Sequence, residues 1–149
     1  MGKIVAFIGH SLWVHSDTPK TLDECIEKCI EEGYDRFVVG RHGAFDQCAF
    51  AACKRAKERH PHINIDLVHT STSIMRPDGI SNDPSLGFST LIYDIETVHF
   101  KRRITYSNRR MIDECDLLIC FVEEIITTGG AAAAYRYAKK KNKKIINIF

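Results

Sequence analysis

The chain has 149 residues, a length that suits one domain with a single core able to bury a sheet between helices. Its formal net charge of +2 argues against duplex nucleic acid as the main partner, because such proteins usually carry a concentrated basic face. No apolar run reaches membrane-spanning length, and no basic segment precedes a long apolar stretch near the start, so a cytoplasmic protein with no membrane partner is expected.

Lys3-Ile4-Val5-Ala6-Phe7-Ile8 is a continuous apolar run, the pattern of a strand covered on both faces. Gly9-His10-Ser11 follows it and would place small and titratable residues in a crevice above a sheet. Thr21-Leu22-Asp23-Glu24 reads as a capping box that opens a helix running to Gly33, with Leu22, Cys25, Ile26, Cys29 and Ile30 as its buried stripe. Arg36–Val39 is a second strand, and Gly40-Arg41-His42-Gly43-Ala44-Phe45-Asp46 its turn into a helix from Gln47 to about Arg59. Asp46 then serves either as a cap and dipole partner or as an acceptor for a sugar hydroxyl. Ile63–Val68 is a third strand.

From His69 to Ser89 the periodic pattern breaks among Pro77, Gly79, Pro84 and Gly87, which reads as a lid or an insertion, with Arg76 a candidate contact. Leu91–Glu96 is a candidate short element. A helix from about Ile104 to Glu114 carries Asn108, Arg109, Arg110 and Asp113, with Met111 and Ile112 turned inward. Leu117–Val122 is a buried parallel strand, and the alanine run after Gly129-Gly130 a closely packed helix. A glycine pair at a helix start lets the backbone approach a ligand while free amides and the helix dipole favour an anion, the outline of a phosphate seat; the bland alternative is a tight turn. Lys139–Lys143 reads as a solvated helix C-terminus, and Lys144–Phe149 as the last strand.

The six cysteines, Cys25, Cys29, Cys48, Cys53, Cys115 and Cys120, form no CxxC pair and read as buried free thiols, although Cys25 and Cys29 share a helix face. No metal site is expected, and no cofactor is specified. Strands alternating with helices give an α/β fold, a single doubly wound Rossmann-like domain over residues 1–149 with a five-stranded, mainly parallel sheet and helices on both faces. With strand order 3-2-1-4-5, the switch-point crevice lies between Gly9-His10 and Thr128-Gly129-Gly130.

Several segments resemble the SLOG superfamily, the Rossmann-like group that contains the DNA-processing protein A and lonely-guy families, and within it the small YpsA-like bacterial proteins. Phe7-Ile8-Gly9-His10 is similar to their strand-one GH turn, and Gly40-Arg41-His42-Gly43-Ala44-Phe45-Asp46 to their G-x-x-G-x-x-D turn. Asn108–Asp113 resembles their RN-x-x-MID helix, and Gly129-Gly130-Ala131 with Tyr137-Ala138-Lys139-Lys140 their GGA...YAK segment. Ser11 and Ser107 stand where Arg is expected, which removes two phosphate-binding cations unless Arg109 and Arg110 compensate. The lonely-guy PGGxGTxxE motif is matched only at Gly129-Gly130.

The resemblance implies a module that binds or senses a nucleotide-like small molecule at the C-terminal edge of the sheet. The candidate contacts are Gly9, His10, Ser11, Gly40, Arg41, Gly43, Asp46, Asn108, Arg109, Thr128, Gly129, Gly130 and Ala131. An enzyme cleaving an N-glycosidic bond is the alternative, with Asp46, Glu96, Asp113 or Glu123 as the carboxylate and His10 as acid or base. Single-strand nucleic-acid binding, by analogy with the DNA-processing relatives, is a third reading. Tyr135 and Tyr137 are candidates for the interface of a homo-oligomer.

Overall fold

The apolar run Lys3–Gly9 (β1) lies inside a six-stranded sheet, where helices on both faces bury Val5, Ala6 and Phe7 completely. In this computed structural model, which describes residues 2–70, 87–93, 95 and 97–149, there follow α1 (Thr18–Glu31), β2 (Tyr34–Val39), α2 (Ala44–Arg59), β3 (Asn64–Val68) and β4 (Ser89–Leu91). A 3-10 turn (Phe100–Arg102) leads into α3 (Arg103–Glu114), then β5 (Leu117–Phe121), α4 (Gly130–Lys140) and β6 (Lys144–Asn147). The sheet order is β4-β3-β2-β1-β5-β6, and every neighbouring pair is parallel. Among the described residues no helix is long and apolar enough to cross a membrane.

The alternation of strands and helices thus gives the expected α/β sheet, with six strands where five were expected. The additional strand is Ser89–Leu91, which runs beside Asp66–Val68; the His69 amide donates to the Leu91 carbonyl at 2.9 Å. Three residues are too few to show a hydrophobic period, so β3, not local sequence, determines this element. It also falls ahead of most of the Leu91–Glu96 stretch that sequence pattern had singled out. The greater part of the lid reading, Arg76 included, and the candidate Glu96 lie outside the described residues.

α1 and α2 bury Leu22, Ile26, Phe45 and Ala49 against Phe7 and Phe37 on one face of the sheet. On the other, α3 and α4 bury Met111, Ile112, Ala134 and Ala138 against Ala6, Val38 and Leu118. The small residues of α4 allow its backbone to lie close to the strands. All six cysteines are free, and burial pushes the Cys120 thiol up to about 12 and Cys29 to about 11, away from thiolate reactivity.

Two helix starts differ from expectation. α1 begins at Thr18, a turn before the proposed capping box, because Pro19 suits the first helical turn, where its missing N–H would be unpaired in any case. Thr18 Oγ1 accepts from the His15 amide at 3.0 Å, whereas Thr21 sits inside the helix and donates its hydroxyl to the Asp17 carbonyl at 3.2 Å. α2 begins at Ala44 instead of Gln47, since the β1 loop supplies acceptors for its first amides: Ala44 N–H donates to Ser11 C=O (2.8 Å) and Phe45 N–H to His10 C=O (3.3 Å). At the end of α1, Gly33 has φ +96°, the left-handed conformation expected after a helix C-terminus.

The glycines on this side are packing residues. A methyl group at Gly9 would lie 2.5 Å from the Phe45 ring, and one at Gly43 would overlap the Ser11 backbone. Gly43→Ala should therefore lower stability by about 1–3 kcal/mol, the range for overpacking a close contact. Urea denaturation at equilibrium measures this loss, and an unchanged midpoint would mean that α2 and the β1 loop are not packed together as described.

Candidate functional site

β2, β3 and β4 extend to one side of β1, while β5 and β6 extend to the other, so the loops after β1 and β5 diverge and open a crevice between them. A cleft of about 410 Å³ occupies this position. Gly9, His10, Ser11, Gly40, Asp46, Asn108, Thr128, Gly129, Gly130 and Ala131 line it, so most of the expected contacts converge. Arg41, Gly43 and Arg109 do not line it. Arg41 Nη1 donates to His69 Nδ1 (2.6 Å), and the Arg109 guanidinium lies over the Tyr137 ring, 5.0 Å from its centroid. Arg110 is engaged with Glu114 and the Tyr106 hydroxyl, and neither of the adjacent arginines lines the cleft. Ser107 is buried, and its hydroxyl has no partner among the described residues.

His10 ties three turns together. Its amide donates to Phe121 C=O (3.2 Å), its carbonyl accepts from Phe45 N–H, and its Nε2 accepts from the Glu123 amide (3.0 Å). That last bond leaves the proton on Nδ1, and burial lowers the ring's pKa despite the opposing charge of Glu123. The imidazole stacks on Trp13 at 5.4 Å. Asn147 clamps the start of the next loop: its Oδ1 accepts from Val122 N–H (3.1 Å) and its Nδ2 donates to Val122 C=O (2.8 Å). Arg136 holds the far end of the loop by donating to Thr127 C=O at 2.8 Å.

The cleft's two ends differ in character. Asp46 lies in the first turn of α2, where the helix dipole favours its charge, and accepts from the His42 amide of the preceding turn at 2.7 Å; the N-cap itself is Gly43, with no side-chain cap bond. Burial nevertheless raises its carboxyl to about 6, with the amide bond offsetting only part of the effect. A methyl at Gly40 would lie 3.0 Å from Asp46 Oδ2, so the small residue leaves this carboxylate its room. His42, beside it, is lowered by burial and by Arg41, and burial also lowers His69 to about 4. Opposite stands the start of α4. Gly129 has φ +96°, no side chain caps the helix, and no described residue accepts from the amides of Gly130, Ala131 or Ala132. Added methyl groups at Gly129 and Gly130 meet no described residue within 4 Å. Among the described residues the space beside this glycine pair is open, whereas that beside Gly9, Gly40 and Gly43 is occupied by Phe45, Asp46 and Ser11.

Sequence reasoning missed the apolar part of the cleft: Leu12, Trp13, Ile104, Met111 and Ile126 also line it, as does His42. Leu12 is 90% exposed. A large apolar pair, Leu12-Trp13, in a loop straight after a strand-end Gly-His was the available signal. Among the described residues the lining contains no Lys or Arg, and no cluster of His, Cys, Asp and Glu is arranged to hold a metal ion.

No protein-family model and no curated protein matches this chain. Among solved structures it is similar to DNA processing protein A from Helicobacter pylori, described for its single-stranded DNA binding mode, with a TM-score of 0.64 and 17% sequence identity. The match covers 96% of this chain and 63% of that one, so the chain corresponds to somewhat less than two thirds of its neighbour. At this identity the likeness establishes the Rossmann-like α/β fold.

The raised carboxyl of Asp46 has a consequence for stability. A group whose pKa is higher in the folded state (about 6) than in the unfolded chain (3.8) favours folding while it is protonated, and that contribution disappears as pH rises through about 6. Asp46→Asn keeps an acceptor for His42 N–H and cannot ionise. Relative to the parent it should be more stable by about 1–3 kcal/mol at neutral pH, with the advantage fading towards pH 4. Urea denaturation of both proteins across that range is the check; a pH-independent difference would show that the carboxylate is not strained by its surroundings.

Proposed function

We propose that the cleft binds a nucleotide or nucleotide-derived small molecule, with its phosphate on the amides of Gly130, Ala131 and Ala132 and its ribose hydroxyls towards Asp46. The observation that carries this reading is the contrast between two helix starts at the same crevice. The first amides of α2 are consumed by Ser11 and His10, while those of α4 have no acceptor and meet no neighbour among the described residues. A carboxylate kept in a partly desolvated position at the other end is a further mark of a binding site. Leu12, Trp13 and Ile104 supply an apolar surface for a planar base.

The absence of Lys and Arg from the described lining favours a ligand with one phosphate group over a polyphosphate, whose charge backbone amides alone would balance poorly. Membership of the SLOG superfamily, in its YpsA-like branch, fits the same residues and is part of this reading. Asp46 also keeps the enzymatic alternative open. A carboxylate beside a bound ribose could stabilise or attack an oxocarbenium-like centre, and release of free base from nucleoside monophosphates, abolished by Asp46→Asn, would establish turnover. The structural neighbour's binding of single-stranded DNA favours a second reading, in which the ligand is a nucleotide within a strand.

Gly130→Val separates site from fold. The new side chain projects into space that the described residues leave empty, so stability should change by no more than about 1 kcal/mol. Affinity for a nucleoside monophosphate should fall at least about tenfold, because the side chain occupies the phosphate position. Isothermal titration of parent and variant against a nucleotide panel gives the answer. Unchanged affinity in a folded variant would remove the phosphate from α4.

A further inference from the structure

At the rim of the cleft, just past the ends of β2 and β3, a group of polar side chains comes together that a bound mononucleotide leaves unused. Val39 is the register partner of Leu67, and the same register carried further sets Arg41 opposite His69 and His42 opposite Thr70. The side chains follow it. Arg41 Nη1 lies 2.6 Å from His69 Nδ1, and His42 Nε2 lies 2.8 Å from Thr70 Oγ1. A guanidinium cannot accept, so the His69 ring accepts on Nδ1 and carries its proton on Nε2.

The surroundings of Arg41 set it apart from other arginines. Arg36, Arg55, Arg59 and Arg110 each meet a carboxylate, whereas among the described residues Arg41 meets only a neutral imidazole. Burial, followed by the charge of Arg41, holds both His42 and His69 below the ordinary histidine range, so basic groups crowd this corner without an acid to balance them. Asp46 does not serve as that acid, for its Oδ2 is turned onto the His42 amide. Donors remain free. The exposed guanidinium keeps N–H groups beyond the one given to His69, and the His42–Thr70 pair keeps one hydrogen whichever member donates: the imidazole Nδ1–H or the threonine hydroxyl.

We infer that Arg41, His42 and Thr70 form a second anion subsite, and that the ligand of the cleft is a nucleoside bisphosphate whose second, terminal phosphate is carried on a ribose hydroxyl. His42 lines the cleft beside Asp46 and Arg41 stands outside it, so the two lead from the ribose position to the surface. A terminal phosphate brings up to two charges and three acceptor oxygens, which suits an unpaired guanidinium with an imidazole and a hydroxyl at its side. A phosphodiester offers one charge and two free oxygens and would satisfy fewer of these donors. The inference rests on the nucleotide reading of the cleft and extends it past Asp46, where the remaining ribose hydroxyl is accepted. It leaves the α4 amides with a single phosphate, because the second group sits at the opposite end and is no part of a polyphosphate chain.

Isothermal titration tests it with the 5′-monophosphates of adenosine, guanosine, cytidine and uridine, their 2′,5′- and 3′,5′-bisphosphates, and the 5′-phosphorylated dinucleotides, in which the second phosphate is a diester. One bisphosphate series should bind about tenfold more tightly than the matching monophosphate, the gain of a charge-assisted contact, and the dinucleotides should gain less. Arg41→Gln, at an exposed position, should remove most of that gain while monophosphate affinity stays within about twofold; Thr70→Val should remove a smaller part. Bisphosphates that bind no tighter than monophosphates, a gain that survives both substitutions, or an equal gain with the dinucleotides would overturn the subsite and leave the mononucleotide cleft standing. Bisphosphate binding that needs Arg41 in a protein that ignores monophosphates would uphold the subsite and contradict the phosphate seat at α4. A protein that binds none of these ligands contradicts both.

Discussion

His10 is the constraint on which the geometry of the cleft depends. Through its amide, carbonyl and ring nitrogen it joins the end of β5, the start of α2 and the loop that leads to α4. A switch point by itself only separates two strand-end loops. Here one residue holds both loops at fixed separation, and stacking on Trp13 keeps the ring in place. Because Nε2 is committed to the Glu123 amide, the imidazole's first task is structural, and its lowered pKa follows from the burial that this task requires.

Two helix starts, close together and built from similar glycine-containing turns, thereby acquire different fates. The β1 loop folds over α2 and fills its amides with carbonyls; across the cleft, no described residue accepts from the first amides of α4. Asp46 completes the asymmetry, for it is a carboxylate whose burial works against ionisation and which packs closely against Gly40, where an added methyl would lie 3.0 Å from Oδ2. The result is a cleft with donors at one end, an acceptor at the other and apolar residues between them. That polarity matches a molecule with an anionic head, hydroxyl groups and a flat apolar body.

The layered fold was legible because its signals are local and redundant: apolar runs at β1 and β5, amphipathic spacing in α1 and α3, and glycines at the turns. β4 was not legible, since three residues carry no period and only β3 determines their place. The start of α1 shows a local motif overruled: Thr21 and Glu24 have the right spacing for a capping box, but Pro19 provides a better first turn. At the site, Asp46 and Gly129-Gly130 stand out from composition alone. Which glycines clear space for a ligand could not be read, because that depends on tertiary neighbours such as Phe45 behind Gly9. Nor could the direction of Arg109, which helical spacing turns onto Tyr137 and away from the cleft.

The central claim is that the amides at the start of α4 are an anion site. The most direct measurement follows their ¹⁵N–¹H correlations by NMR while a nucleoside monophosphate is added to the isotopically labelled protein. The largest changes should fall on Gly130, Ala131 and Ala132, with smaller ones near Gly40 and Asp46. Saturable changes confined to other segments, with those three amides unmoved, would contradict the account.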